Sequence, residues 1–237
     1  MLLTLWLAQV AVFAVGIYGP WGNAPEARAN GRVPLPLRMI LSLSLVLAAW
    51  LARTHGGGPG TPYYAYASWI LLGMAFGSLG DFIMAKLVPV PNRLVGGMVA
   101  FGIGHLLYIV GYLRTLVVTR VPFRWDALET ALAVYLAVTV IGWWVLIRNP
   151  ARESAVNVGA LLYGSLIAVM ASFAFTLAVS AGGAFWLAAV GAGSFVLSDF
   201  LIGVTEIRGT PIENANDWIW LTYVAGQMGI VYAGAWG

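Results

Sequence analysis

The chain has 237 residues, of which 61% are hydrophobic and only 9% charged, against roughly 25% charged in an ordinary soluble domain. Twelve Lys and Arg and nine Asp and Glu cannot cover a soluble surface of this size, which excludes a soluble enzyme, a disordered chain and a nucleic-acid binder. The net charge of +3 comes from scattered Arg, and the absence of Cys excludes disulfides, thiolate metal sites and a Cys nucleophile.

The composition predicts an all-α, polytopic membrane bundle in a single membrane domain. The bilayer core needs about 20 apolar residues per helical span. Eight stretches qualify: 2–18, 36–53, 63–85, 94–113, 126–147, 155–179, 183–205 and 217–236. Span 1 has the apolar character of a signal peptide but lacks its basic leader, so Ala27-Arg28-Ala29 is read as a loop rather than a cleavage site. Span 2 is the weakest, being short and entered through Val33-Pro34-Leu35-Pro36.

An ionisable group at membrane depth costs about 2.5–3.5 kcal/mol on insertion scales, so each one is a functional hint. Three lie well inside spans. Asp81 stands near the end of span 3, after Gly73, Gly77 and Gly80 at helical spacing. Small residues at such offsets let a second helix approach, which predicts that Asp81 faces the interior. The structural alternative is a carboxylate at the helix end, hydrated or paired with Lys86. His105 sits near the middle of span 4, with Tyr108 and Tyr112 further along on the same side; its alternative is a core histidine satisfied by a neighbouring hydroxyl. On span 6, Ser165, Ser172 and Thr176 read as packing contacts. Asp199 lies in Ser198-Asp199 of span 7, sharing a face with Ala192, Phe195 and Glu206, and is expected to be the more deeply buried acid. Span 8 adds Thr222, Tyr223 and Gln227, of which Tyr223 and Gln227 share a face with Asn216 and Trp220. A Gln within a span needs hydrogen-bond partners, so that face is expected to point inward, as a site or as contact between helices.

Odd-numbered loops hold Arg28, Arg32, Arg38, Lys86, Arg93, Arg148, Arg152 and Arg208, whereas even-numbered loops hold Arg53, Arg114, Arg120 and Arg124. The positive-inside rule then makes the odd loops cytoplasmic and puts both termini outside, in a cell (inner) membrane. In that topology Asp81, His105, Asp199 and Tyr223 fall at similar depth in the inner half of the bilayer. No GxSxG, Walker A or HExxH sequence is present, and only two His exist, His55 and His105.

The ordered set Gly80-Asp81, then Phe101, Gly104-His105 and Tyr108, then Gly191-Ala192, Phe195 and Ser198-Asp199, then Thr222-Tyr223 and Gln227 resembles the lysoplasmalogenase (YhhN-like) family of eight-span membrane proteins. Two positions depart from its pattern: Gly226 stands where the family tends to have Ala, and Thr205-Glu206 where it tends to have a basic residue. The resemblance implies hydrolysis of the vinyl ether bond of lysoplasmalogens, giving a fatty aldehyde and a glycerophospho-ethanolamine or -choline.

Such chemistry suits two carboxyl groups without metal or cofactor. A vinyl ether hydrolyses by proton transfer to carbon, which leaves an oxocarbenium ion for water to capture. One protonated acid and one carboxylate divide this work, as they do at glycosidic bonds. Asp199 is expected as the acid and Asp81 as the anionic partner, with the exchange of the two roles as the alternative. His105 would help orient the acids and the water, with Tyr108, Ser198, Thr222, Tyr223 and Gln227 around the lysophospholipid substrate. Three other readings fit the same residues: a hydrolase of another lysolipid bond, a proton-coupled lipid or solute transporter, and a structural membrane protein whose polar groups only hold helices together. The sequence shows no inverted repeat or paired broken helices of the transporter kind.

Overall fold

The computed structural model describes residues 1–23 and 31–236, so Ala27-Arg28-Ala29 lies outside the described residues. Eight α-helices are described: α1 (Leu2–Tyr18), α2 (Leu35–His55), α3 (Pro62–Met84), α4 (Arg93–Thr119), α5 (Trp125–Gly142), α6 (Ser154–Ala181), α7 (Phe185–Ile202) and α8 (Ala215–Ala233). No strand occurs among the described residues. Helices α5 and α7 continue into wider π-helical turns, Trp143–Ile147 and Gly203–Arg208.

The helix ends follow local chemistry. Thr61 accepts the Tyr64 amide at 3.3 Å, with Pro62 in the first turn of α3. The Asn92 side chain accepts the Leu94 and Val95 amides at 3.0 and 3.2 Å and opens α4. Gly182 and Gly183, at φ +70° and +57°, turn the chain between α6 and α7.

Six helices are long and apolar enough to cross a membrane: α2, α3, α4, α6, and α5 and α7 each with its π-helical turn. Helix α1, of 17 residues, is apolar but shorter, and α8 carries Asn216, Asp217 and Gln227 and falls outside the set of six. The eight expected spans therefore correspond to eight helices, six of which meet the length and apolarity of a span. The physical reason at α8 is burial against protein. Val224, Gln227, Ile230 and Val231 are all buried, so α8 does not need the uniformly apolar surface that lipid demands. On the outside, Val190 is 71% exposed, Val117 67% and Leu162 66%. Apolar surface on that scale suits lipid, not water, and marks a multi-pass membrane protein.

Two close seams organise the bundle. Helices α3 and α4 meet at Gly73 and Gly104, where a methyl group added at Gly104 would lie 2.9 Å from the Gly73 carbonyl oxygen. Helices α7 and α8 meet at Gly191 and Gly226 in the same way; a methyl group on Gly226 would lie 2.8 Å from the Gly191 oxygen. The starts of α2, α4 and α8 and the ends of α3 and α7 consequently share one end of the molecule. The termini lie together at the other, where the Trp6 and Trp236 rings are 6.1 Å apart.

Candidate active site

Asp81 stands one turn before the end of α3 and is buried. Its Oδ2 accepts hydrogen bonds from Ser42 Oγ of α2 at 2.5 Å and from the Tyr223 hydroxyl of α8 at 2.7 Å. Ser42 Oγ is also 2.7 Å from Ser78 Oγ, one turn before Asp81. Three helices thus converge on one carboxyl group through hydroxyls. Lys86 takes no part: it is exposed, at φ +62° beyond the helix end, and the ion pairs among the described residues join Arg32 to Asp217, Arg93 to Glu206 and Arg124 to Asp126.

Asp199 lies in the last turn of α7, where its Oδ2 accepts the Tyr163 hydroxyl of α6 at 2.8 Å. The expected order of burial is reversed. Asp199 is only partly buried and lines two cavities, whereas Asp81, held by Ser42 and Tyr223, is buried and lines one.

The two acids line one cavity of about 130 Å³ at the shared end of the bundle. Phe101, Ser198, Trp220 and Tyr223 complete its inner wall, and Arg38, Arg93, Glu206 and Asn216 bring charge and polarity to it. Asp199 also lines a second cavity, of about 70 Å³, which is almost wholly apolar. Met98, Val138, Trp143, Ile167 and Val196 form part of its wall, together with Tyr163.

The other residues singled out in the sequence divide into three kinds. Tyr223 bonds Asp81 directly, and behind it Tyr108 donates to Gln227 Oε1 at 2.8 Å. Gln227 and Tyr223 both flank Gly77, so polar groups of α4 and α8 gather behind the Asp81 carboxyl, with Tyr108 and Gln227 off the cavity wall. Ser198 lines the cavity but donates to the Ile219 carbonyl of α8 at 3.1 Å, and Thr222 donates to the Trp218 carbonyl of its own helix at 2.8 Å. His105 is buried among aromatic rings and absent from the cavity wall. Its ring meets Phe195 edge-on at 4.7 Å and lies 6.0 Å from the Tyr163 ring, and neither ring nitrogen has a hydrogen-bond partner among the described residues. It is not satisfied by a neighbouring hydroxyl.

Four residues of the site escape the sequence reading. Ser42 and Ser78 look like small packing residues in apolar helices, and Tyr163 like an interfacial aromatic. Arg38 counts only toward orientation. Ser42, Tyr163 and Arg38 reach an acid or the cavity from another helix, and Ser78 joins only through Ser42, so no spacing within one helix reveals them.

The family model described as YhhN family matches residues 35–234. No curated protein and no solved structure matches the chain.

Proposed function

The chain belongs to the YhhN family, which includes lysoplasmalogenases, and from that premise we propose that it hydrolyses the vinyl ether bond of lysoplasmalogens. The observation that carries the reading is the pair Asp81 and Asp199 on one cavity, with Asp199 also on an apolar one. A lysolipid has a polar head and a single chain joined at the bond to be cut. Asp199 sits at the matching junction. The cavity shared by the acids is too small for a whole lipid, since pockets for drug-sized ligands run to about 300–1,000 Å³, but it has room for the glycerol and the ether.

In the proposed reaction the Asp199 carboxyl donates its proton to the alkenyl carbon β to oxygen, giving an oxocarbenium ion. Asp81 stabilises that cation as a carboxylate. Its two hydroxyl donors, Ser42 and Tyr223, suit a charged oxygen. Water adds to the carbon attached to oxygen, and its proton returns to a carboxylate. The hemiacetal then collapses, breaking the carbon–oxygen bond to release a fatty aldehyde and the glycerol hydroxyl. Tyr163 orients Asp199, and His105, packed against Phe195 beside Tyr163, is a positioning residue behind the acids. The reading is completed by an inner-membrane location with the site end cytoplasmic and both termini outside, following the basic odd-numbered loops.

The test is incubation of the purified protein with a lysoplasmalogen and assay of free aldehyde. Release by the wild type and none by a double Asp81→Asn, Asp199→Asn variant is expected; equal release by both would refute the reading.

A further inference from the structure

We propose that Arg38 is the phosphate-binding residue of this cavity, so that the substrate class is set by a phosphodiester on the glycerol. This rests on the reading above of a lysophospholipid substrate. Arg38 lies in the first turn of α2 and lines the cavity shared by Asp81 and Asp199. Its Nε is buried and has no hydrogen-bond partner among the described residues. The nearby carboxylates are engaged elsewhere. Asp217 accepts the Arg32 backbone amide and Nε, both at 2.7 Å, and Glu206 accepts Arg93 Nη2 at 2.9 Å. Arg38 is therefore a cation on a cavity wall with a buried donor to spare, and a buried unpaired donor is costly.

Its setting suits one kind of ligand. The guanidinium stands over the Trp220 ring, 5.6 Å from its centroid, which limits how the plane of the fork can turn. A fixed planar fork matches two oxygens of one phosphate better than it matches a single carbonyl. Spacing adds a second argument. Ser42 follows Arg38 by four residues on the same face of α2 and donates to Asp81. The rise between them is about 6 Å, on the scale of the three-carbon glycerol that separates phosphate from ether oxygen. A phosphate held at Arg38 would present the vinyl ether to the acids. The Arg93–Glu206 pair stands at the same cavity, and at roughly 40% exposure on each side it is weak enough to open for a charged headgroup.

Two non-cleavable ligands of equal chain length test this in nanodiscs: a 1-O-alkyl lysophosphatidylethanolamine and the corresponding 1-O-alkylglycerol, which lacks phosphate. The wild type should prefer the phospholipid. Arg38→Gln should weaken phospholipid binding about 10–100-fold, as loss of hydrogen bonds to a charged group does, and should weaken alkylglycerol binding far less. Arg38→Lys keeps the charge and most of the stem, and carries the test if the Gln variant is unstable. It should recover part of the phospholipid affinity and leave alkylglycerol binding near that of the wild type. A wild type without preference, or equal losses with both ligands, or no loss with either, overturns the proposal; equal losses would mean that Arg38 only holds α2 against Trp220. Aldehyde release is scored separately. Without it, an Arg38-dependent preference would sustain the phosphate site and remove the hydrolase.

Discussion

At the scale of single residues, the two acids and the hydroxyls that hold them make distinct demands. Asn keeps the size of Asp, so Asp81→Asn and Asp199→Asn should leave the fold intact while lowering aldehyde release at least about 100-fold, the lower range of general acid catalysis. A folded Asp199→Asn protein releasing aldehyde at the wild-type rate would exclude Asp199 as proton donor. Tyr223→Phe and Tyr163→Phe each remove one hydroxyl donor from an acid. Hydrogen bonds to charged groups contribute about 1.5–3 kcal/mol, so each variant should slow turnover roughly 10- to 100-fold. Thr222→Val, whose hydroxyl bonds only within its own helix, should cost far less. His105→Leu should fall between, because His105 reaches the acids only through aromatic neighbours. Steady-state rates of these variants, ranked side by side, check the assignment. The two acids were legible from the sequence because a charge inside an apolar run is conspicuous. Ser42, Ser78 and Tyr163 were not, since a hydroxyl acquires meaning only from what lies across the helix interface.

At the scale of helices, the bundle depends on backbone approaching backbone. The Gly73, Gly77 and Gly80 spacing pointed to a partner helix, and α4 is that partner at Gly73 and Gly80, while Gly77 faces Gln227 and Tyr223. Which helix would fill each groove was not legible, because glycine spacing advertises a groove and not its occupant. Gly226 has a reason of its own: a methyl group there would meet the Gly191 oxygen at 2.8 Å and the Phe195 nitrogen at 3.0 Å, and backbone cannot swing aside. Gly226→Ala should therefore destabilise by about 1–3 kcal/mol, as overpacking does. Gly159→Ala in α6, where a methyl group meets nothing within 4 Å, should cost nothing and tends to stabilise the helix. Thermal unfolding of the two variants in the same detergent provides the comparison, and equal melting temperatures would remove the role given to the α7–α8 seam. The bounds of α4 show a further limit of sequence reading. Its apolar run fades near Leu113, yet the helix continues to Thr119, because Thr115 and Leu116 are buried by neighbouring helices.

At the scale of the whole molecule, both termini lie at the end opposite the acids, and the basic odd-numbered loops surround the site. Reporters fused to either terminus should register outside the cytoplasm, and a membrane-impermeant reagent should reach an introduced Cys near Glu206 only from the cytoplasmic side. The reverse result would invert the molecule without disturbing its interior. One consequence follows from the position of Asp199 on the walls of two unlike cavities. In the proposed reaction the two products would differ in where they are soluble. The glycerophospho-alcohol would leave to water through the cavity that carries the charged residues, and the aldehyde to lipid along the apolar side of α7. Departure of each would then be governed by a different phase, and the capacity of the bilayer for aldehyde would limit sustained turnover while the soluble product would not.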